Sequence, residues 1–400
     1  MTPTHDLPTL ATRWLTALDA VLPAARALRR ELHADPHVSG HEAPTRDRLV
    51  AAMSDVTSFT PMTDAGAVGR IGPAEGPAIA LRAELDALPV AEQTGASFAS
   101  TNGTMHACGH DVHQAALVAL MRAAHRVDLP FGLVGLLQPR EETSPPGAQE
   151  MVEAGVIEQY GIAHVIGAHV HPGVTPGAVA AAGGFVNAAA DEIDIRIEGR
   201  GGHGAYPHLA SDAVAAIAHI AIGIQEVVRR TITPVRPALI TVGTMNAGHG
   251  VANVLPAQAH IRATMRTTDV RDRTALFEAV RTMAERTAEA YGTTATATLI
   301  DGQPALINDH DLALGISGWL TRLGIPGDEP MRSLGADDFA YFCEAVPSAM
   351  LFVGVETAGE EPQPTLHHPR FLPDESAVDV TAHALLAGCL AAAERLLAAE

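Results

Sequence analysis

Hydrophobic and polar positions follow two textures along this chain, changing near residue 186. Before that point the apolar runs are short, dense and buried in character. Apolar residues at helical spacing predict an N-terminal helix over 11–33. A strand is predicted through Ala78-Ile79-Ala80-Leu81, ending near Asp86. An Ala- and Leu-rich helix follows over 112–125, with Asp111 placed to cap it. Residues 131–137 form an apolar strand that ends in Gln138-Pro139-Arg140-Glu141-Glu142. Ser144-Pro145 reads as an N-cap with proline in the first turn, opening a helix that stops near Gly155. Residues 164–170 are another buried strand, ending in His169 and His171.

Beyond 186, Ile193, Ile195 and Ile197 alternate with polar residues, the mark of a strand with one wet face. A helix over 212–230, strands over 237–245 and 258–266, a helix over 270–290 and a strand over 293–300 complete a β-α-β-β-α-β order. That order predicts a ferredoxin-like two-layer sandwich. The domain division is therefore 1–186 with 301–400 as a larger α/β domain, and 187–300 inserted into it.

Four hundred residues exceed one hydrophobic core, in keeping with two domains. The chain is 47% hydrophobic and 18% charged, the composition of a soluble globular protein. A net charge of −20 argues against nucleic acid or an anionic membrane as a partner. All 26 basic residues are arginine, which removes lysine chemistry. Cys108, Cys343 and Cys389 cannot build a disulfide framework, the N-terminal stretch lacks the features of a signal peptide, and apolar runs break before membrane-spanning length. Cytoplasmic localisation is the expectation. Twenty histidines against nine Phe and four Tyr direct attention to metal.

In Cys108-Gly109-His110-Asp111 a thiol and an imidazole can face one ion across a glycine turn. Asp86, Cys108 with His110, Glu141 with Glu142, and His169 each follow a predicted strand, where α/β sheets gather ligands. Adjacent carboxylates such as Glu141-Glu142 can divide the work, one binding metal and one serving as base for water. Taken singly, each has a plain alternative. Cys108 can be a small buried residue, His169 a core histidine, His203 part of a glycine turn, and His367 and His368 surface residues.

Together these strings resemble a known family. The ordered set runs through Arg30-Glu31-Leu32-His33 with Ser39 and Glu42, residues 81–89, 105–113 and 138–142, Gly167-Ala168-His169-Val170, 199–208, Asn253-Val254-Leu255-Pro256 and 367–371. It is similar to the dinuclear metal-dependent amidohydrolases of the aminoacylase–carboxypeptidase superfamily, which include hippurate hydrolase, N-acyl-amino-acid amidohydrolase and auxin-conjugate hydrolases. The resemblance implies two divalent metal ions, Zn²⁺ favoured by the thiolate and Mn²⁺, Co²⁺ or Ni²⁺ open. It implies ligands at Cys108, His110, Glu142, His169 and His367, with Cys108 bridging, and Glu141 as general base and acid.

The resemblance further implies that Asp86 orients a ligand, with a structural carboxylate as its alternative. His203 would polarise the scissile carbonyl in a neighbouring active site. Asn253 and Arg266 would hold the substrate carboxylate, an ordinary surface ion pair being the alternative for Arg266. The implied fold is a zinc-peptidase-like α/β domain with a mixed sheet plus a lid that makes a homodimer or higher homo-oligomer. Glu84, His37, Gly204 and Arg140 depart from the family pattern, and Arg140 would bias the site electrostatically or select an acidic substrate. The expected activity is hydrolysis of N-acyl amino acids. A dipeptidase or carboxypeptidase on the same scaffold, and an inactive metal-binding or scaffold protein, are the alternatives.

Overall fold

A computed structural model describes residues 6–248 and 250–398, and these fall into two compact units. The first five residues of the N-terminal stretch inspected for targeting lie outside the described residues. One unit holds the chain up to Val186, Ile307–Met331 and the residues from Asp338 onward. The other holds Asn187–Leu306 and Arg332–Asp337. That last segment joins the second unit through a bridge between Asn187 and Ser333 and an Ala188 N–H to Gly335 carbonyl bond of 3.0 Å.

The first unit is built on a seven-stranded mixed sheet. Gly132–Gln138, Ala78–Glu84, Ile162–His171 and Ser348–Gly354 lie side by side and parallel. Phe59–Met62 and Gly66–Ile71 extend it antiparallel at one edge, and Val179–Ala180 at the other. The parallel strands are buried almost throughout, so their sequences lack the strict alternation of polar and apolar residues that marks a strand with one wet face.

Three local predictions are corrected. The N-terminal helix is two helices, Leu7–Asp19 and Leu22–Ala34, because Pro23 has no N–H to continue the first and suits the first turn of the second. The helix expected from Ser144-Pro145 begins at Gly147, after two prolines that cannot donate. Ser376–Ala398 is in fact long and apolar enough to cross a membrane, yet 78% of its most apolar window is buried. It packs on strands Ile162–His171 and Ser348–Gly354 and on helices His110–Ala124 and His310–Arg322, as a core helix does.

The second unit has an antiparallel four-stranded sheet in the order Ala238–Ala247, Gln258–Thr267, Ala189–Glu198, Thr294–Gln303. Ile193, Ile195 and Ile197 face helices Ala213–Thr231 and Val270–Ala290, meeting Ile217, Ile220, Leu276 and Val280. The alternate residues Glu192 and Asp194 pair across the other face with Arg262 and His260.

Candidate metal centre

Strands Ala78–Glu84, Gly132–Gln138 and Ile162–His171 run parallel, so Asp86, the Glu141–Glu142 loop and His169 gather at one end of the sheet. His169 lies inside its strand, and Cys108 and His110 follow no strand. They close a long connection pinned by reciprocal Leu88–Met105 backbone bonds of 2.9 and 3.0 Å. Gly109 then turns the chain at φ +85°, and a Cβ there would lie 2.3 Å from Val170 Cγ2. Only glycine fits. Gly109, and not Asp111, occupies the N-cap of His110–Ala124. Asp111 faces inward instead, accepting from Arg29 Nε at 2.6 Å and from His33 Nδ1 at 3.0 Å, with all three side chains buried.

Two imidazoles have a settled tautomer. His110 Nδ1 is 2.8 Å from the Asp86 carbonyl oxygen, and His169 Nδ1 is 2.7 Å from that of Val170. A carbonyl only accepts, so each Nδ1 carries a hydrogen, and in the neutral ring the lone pair falls on Nε2. His110 Nε2 is buried without a hydrogen-bond partner, and His169 Nε2 lies 3.4 Å from Cys108 Sγ. Metal-binding histidines are held in this way. His113 differs. The Val170 N–H donates to its Nε2 at 2.9 Å, so its Nδ1–H donates to Glu84 at 3.0 Å and no nitrogen remains for a metal.

Cys108, His110 and His169 offer ligand atoms that all lie within 4.8 Å of one another, and so do Cys108, Glu142 and His367. The sulfur is common to both sets. A third set of the same size joins His110, Glu141 and Glu142. His367 is held at φ +67° by its N–H bond to the Ala107 carbonyl, 2.8 Å long, and its Nε2 lies 3.2 Å from Glu142 Oε1. Burial pushes the Cys108 thiol well up and the His169 imidazole well down. Burial works the same way on His110 but is outweighed by Glu84 and Asp86, so that ring is held up. A cation against the sulfur reverses the cost of the buried thiolate.

The loop carrying Glu141 is fastened on both sides. The Arg140 N–H donates to Glu42 Oε1 at 2.9 Å, and the Glu142 N–H to Asp86 Oδ2 at 2.9 Å. Asp86 Oδ2 also accepts from Ser39 Oγ at 2.8 Å. Gly147 packs beneath: its N–H bonds the Arg140 carbonyl at 3.0 Å, and a Cβ would sit 1.7 Å from the Pro139 oxygen. The Arg140 guanidinium pairs with Glu150 and with Asp64 at 3.3 Å. Its charge is matched there by two carboxylates.

In the second unit, His203 is the register partner of Val254, and the Gly204 N–H donates to the Asn253 carbonyl at 2.7 Å. His203 and Asn253 are thus brought together. Arg266 is not with them: it lies opposite Ala190, whereas the chain leaves toward His203 from Glu198, opposite Gln258. Eight residues separate Gln258 from Arg266, roughly 27 Å of strand at about 3.4 Å each.

The description Peptidase family M20/M25/M40 matches residues 80–388. This chain belongs to that family. An N-acetylcysteine deacetylase from Bacillus subtilis is 34% identical over 360 residues, covering 88% of this chain and 92% of the relative. An N-acetyldiaminopimelate deacetylase from Shouchella clausii is 32% identical over 369 residues, covering 90% and 96%. Among solved structures, an aminohydrolase from methicillin-resistant Staphylococcus aureus gives a TM-score of 0.88 at 29% identity, covering 95% of this chain and 98% of that one. A dinuclear metal-binding peptidase of the M20 family from Bacillus subtilis gives 0.82 at 30% identity, covering 94% and 99%. The chain is a hydrolase of the M20 family, acting on amide bonds.

Several residues that shape this M20-family site have no role assignable from sequence. Arg82 and Glu84 pair inside a buried strand, and Arg82 also donates to Gln138 at 2.8 Å and to Asp338 at 2.7 Å. Glu84 fixes His113, and Arg29 and His33 fix Asp111. The one available signal was charge within an apolar run, at Arg82 and Glu84.

Proposed function

We propose that this chain is a metal-dependent amidohydrolase that cleaves the amide bond of N-acyl amino acids. The observation that carries the proposal is the Cys108 sulfur shared by two donor sets, with Glu141 beside Glu142 and His110. Cys108, His110, Glu142, His169 and His367 would hold two divalent ions. Their fit rests on the buried His110 Nε2, which has no hydrogen-bond partner, on Glu142 Oε1 facing His367 Nε2 at 3.2 Å, and on the buried thiol. The thiolate favours Zn²⁺, and the imidazoles and carboxylate also suit Mn²⁺, Co²⁺ or Ni²⁺. Bound there, the ions would acidify water and offset the charge of the hydrolytic transition state.

The chain's own residues do the rest. Glu141, whose Oε2 lies 3.9 Å from His110 Nε2, takes the proton of the attacking water and returns it to the leaving nitrogen. Asp86 orients His110 through its carbonyl and Glu142 through its carboxylate. His203 polarises the scissile carbonyl, and Asn253 and Arg266 grip the free carboxylate. A substrate the size of an acyl amino acid cannot span the length of strand between Arg266 and the His203–Asn253 pair. Contact with all three therefore takes His203 and Asn253 from one subunit and Arg266 from its partner, which makes the working form a homodimer. The two deacetylases among its relatives support an acyl amino acid as substrate. Cys108 and Cys389 are buried thiols outside any disulfide, in keeping with a cytoplasmic enzyme.

The test is amino-acid release by metal-reconstituted protein from N-acetyl and N-benzoyl amino acids and from dipeptides. Release from the N-acyl amino acids is expected. Turnover of dipeptides alone would make the chain a dipeptidase, and no release by protein carrying both metals would sink the proposal.

A further inference from the structure

We infer that Glu42 is a positioning residue for Glu141, acting as the acceptor that locks the Arg140 peptide in its left-handed conformation. The inference rests on the assignment of Glu141 as the base. Arg140 has φ +50°, a region that arginine adopts rarely and that persists only where surrounding contacts hold it. Five contacts hold its backbone and side chain: Gly147 N–H on its carbonyl, Glu150, Asp64 and the Pro145 carbonyl on its guanidinium, and Glu42 on its N–H. Of these, only the Glu42 bond acts on the N–H of the left-handed residue itself, next to Glu141. Without it that N–H, in a buried residue, loses its acceptor.

Glu42 is itself fully buried, and its second oxygen, Oε2, has no hydrogen-bond partner. One oxygen does the holding, and among the described residues no cation is paired with the carboxyl. A neutral side chain of the same shape therefore suffices. Asp86 provides the matching bond to Glu142, two residues along, so Glu141 sits between two amides, each fastened to a buried carboxyl. Releasing one side frees the peptide to relax to right-handed backbone and swings the base away from the site. Misplacements on the order of 1 Å at a catalytic group cost roughly 100-fold in rate.

The test compares Glu42→Ala and Glu42→Gln with the wild-type chain, all loaded with metal. Glu42→Ala is expected to lower kcat roughly 10- to 100-fold, with KM and metal content unchanged, while Glu42→Gln keeps kcat within about threefold of wild type because its amide oxygen still accepts. Deuterium uptake by the segment 138–147, which needs no turnover, is expected to rise in Glu42→Ala and stay as wild type in Glu42→Gln. Wild-type kcat in Glu42→Ala, equal losses in both variants, or unchanged uptake in Glu42→Ala would each overturn the inference. If wild-type protein releases no amino acid, the proposed activity fails, and deuterium uptake alone still decides whether Glu42 holds the loop.

Discussion

His110 donates its Nδ1–H to the carbonyl of Asp86 at 2.8 Å, while the Asp86 carboxylate accepts the amide of Glu142 at 2.9 Å. One residue thereby orients two proposed ligands from distant segments, using a different group for each. Asp86→Ala keeps the carbonyl and removes the carboxylate. Metal affinity is expected to fall roughly 10- to 100-fold, read by competition with a chromophoric chelator. Unchanged affinity would reduce the carboxylate to a purely structural part.

Because both donor sets include the Cys108 sulfur, its loss should disturb both ions together. Cys108→Ser is expected to take bound metal from about two per chain to below one, rather than to one, since a hydroxyl is a poor substitute for a thiolate that both donor sets would use. Elemental analysis after gel filtration reads the ratio. A variant that keeps one tightly bound ion would show that the sulfur serves a single site.

Glu141→Gln preserves shape and removes the base. A general base contributes on the order of 100- to 10,000-fold, so kcat should fall by that much with metal content intact. Full activity in this variant would move the proton transfer to another group.

His33 lies between two carboxylates, Asp111 at 3.0 Å from Nδ1 and Glu92 at 3.2 Å from Nε2, so both nitrogens donate and the ring is an imidazolium. Burial works against this charge, but Asp111 and Glu92 outweigh it and hold the pKa at about 9. The folded value is raised, so the stabilisation is complete below about pH 6.5 and is lost as pH climbs through about 9, on the order of 3 kcal/mol in all. Urea midpoints of wild type should drop across that window more than those of His33→Gln. Parallel curves for the two proteins would refute the imidazolium.

The distance between Arg266 and the His203–Asn253 pair predicts complementation. His203→Ala and Arg266→Ala should each be inactive as homodimers. A mixture allowed to exchange subunits should recover about a quarter of wild-type activity, from the one intact site in each mixed dimer. No recovery, with exchange verified by mass spectrometry, would place all three residues in one chain's site.

Strands were legible in the sequence where burial on both faces left unbroken apolar runs, as over 78–81 and 132–137. The proposed ligands were legible because thiol, imidazole and paired carboxylates are distinctive side chains. What holds them was not. The oxygens that set the tautomers of His110 and His169 are main-chain carbonyls, which carry no residue signature. The buried ions Arg29, Asp111 and Arg82 belong to types that usually stay at the surface, and the partner of Arg82 at Asp338 lies 256 residues away. Helix starts at Leu22 and Gly147 were missed because proline marks a boundary without fixing on which side of it the helix begins.

The place of Ser376–Ala398 in the core has a consequence for how the protein is made. This helix fills the space against Ile162–His171 and Ser348–Gly354, yet it is translated after every strand it covers. Most of the second unit, Asn187–Leu306, leaves the ribosome as one continuous stretch. It can close its own core while the earlier-made half of the first unit still exposes an apolar sheet. Assembly on the ribosome can thus begin in the middle of the chain, with the nascent sheet as the surface a chaperone would have to shield.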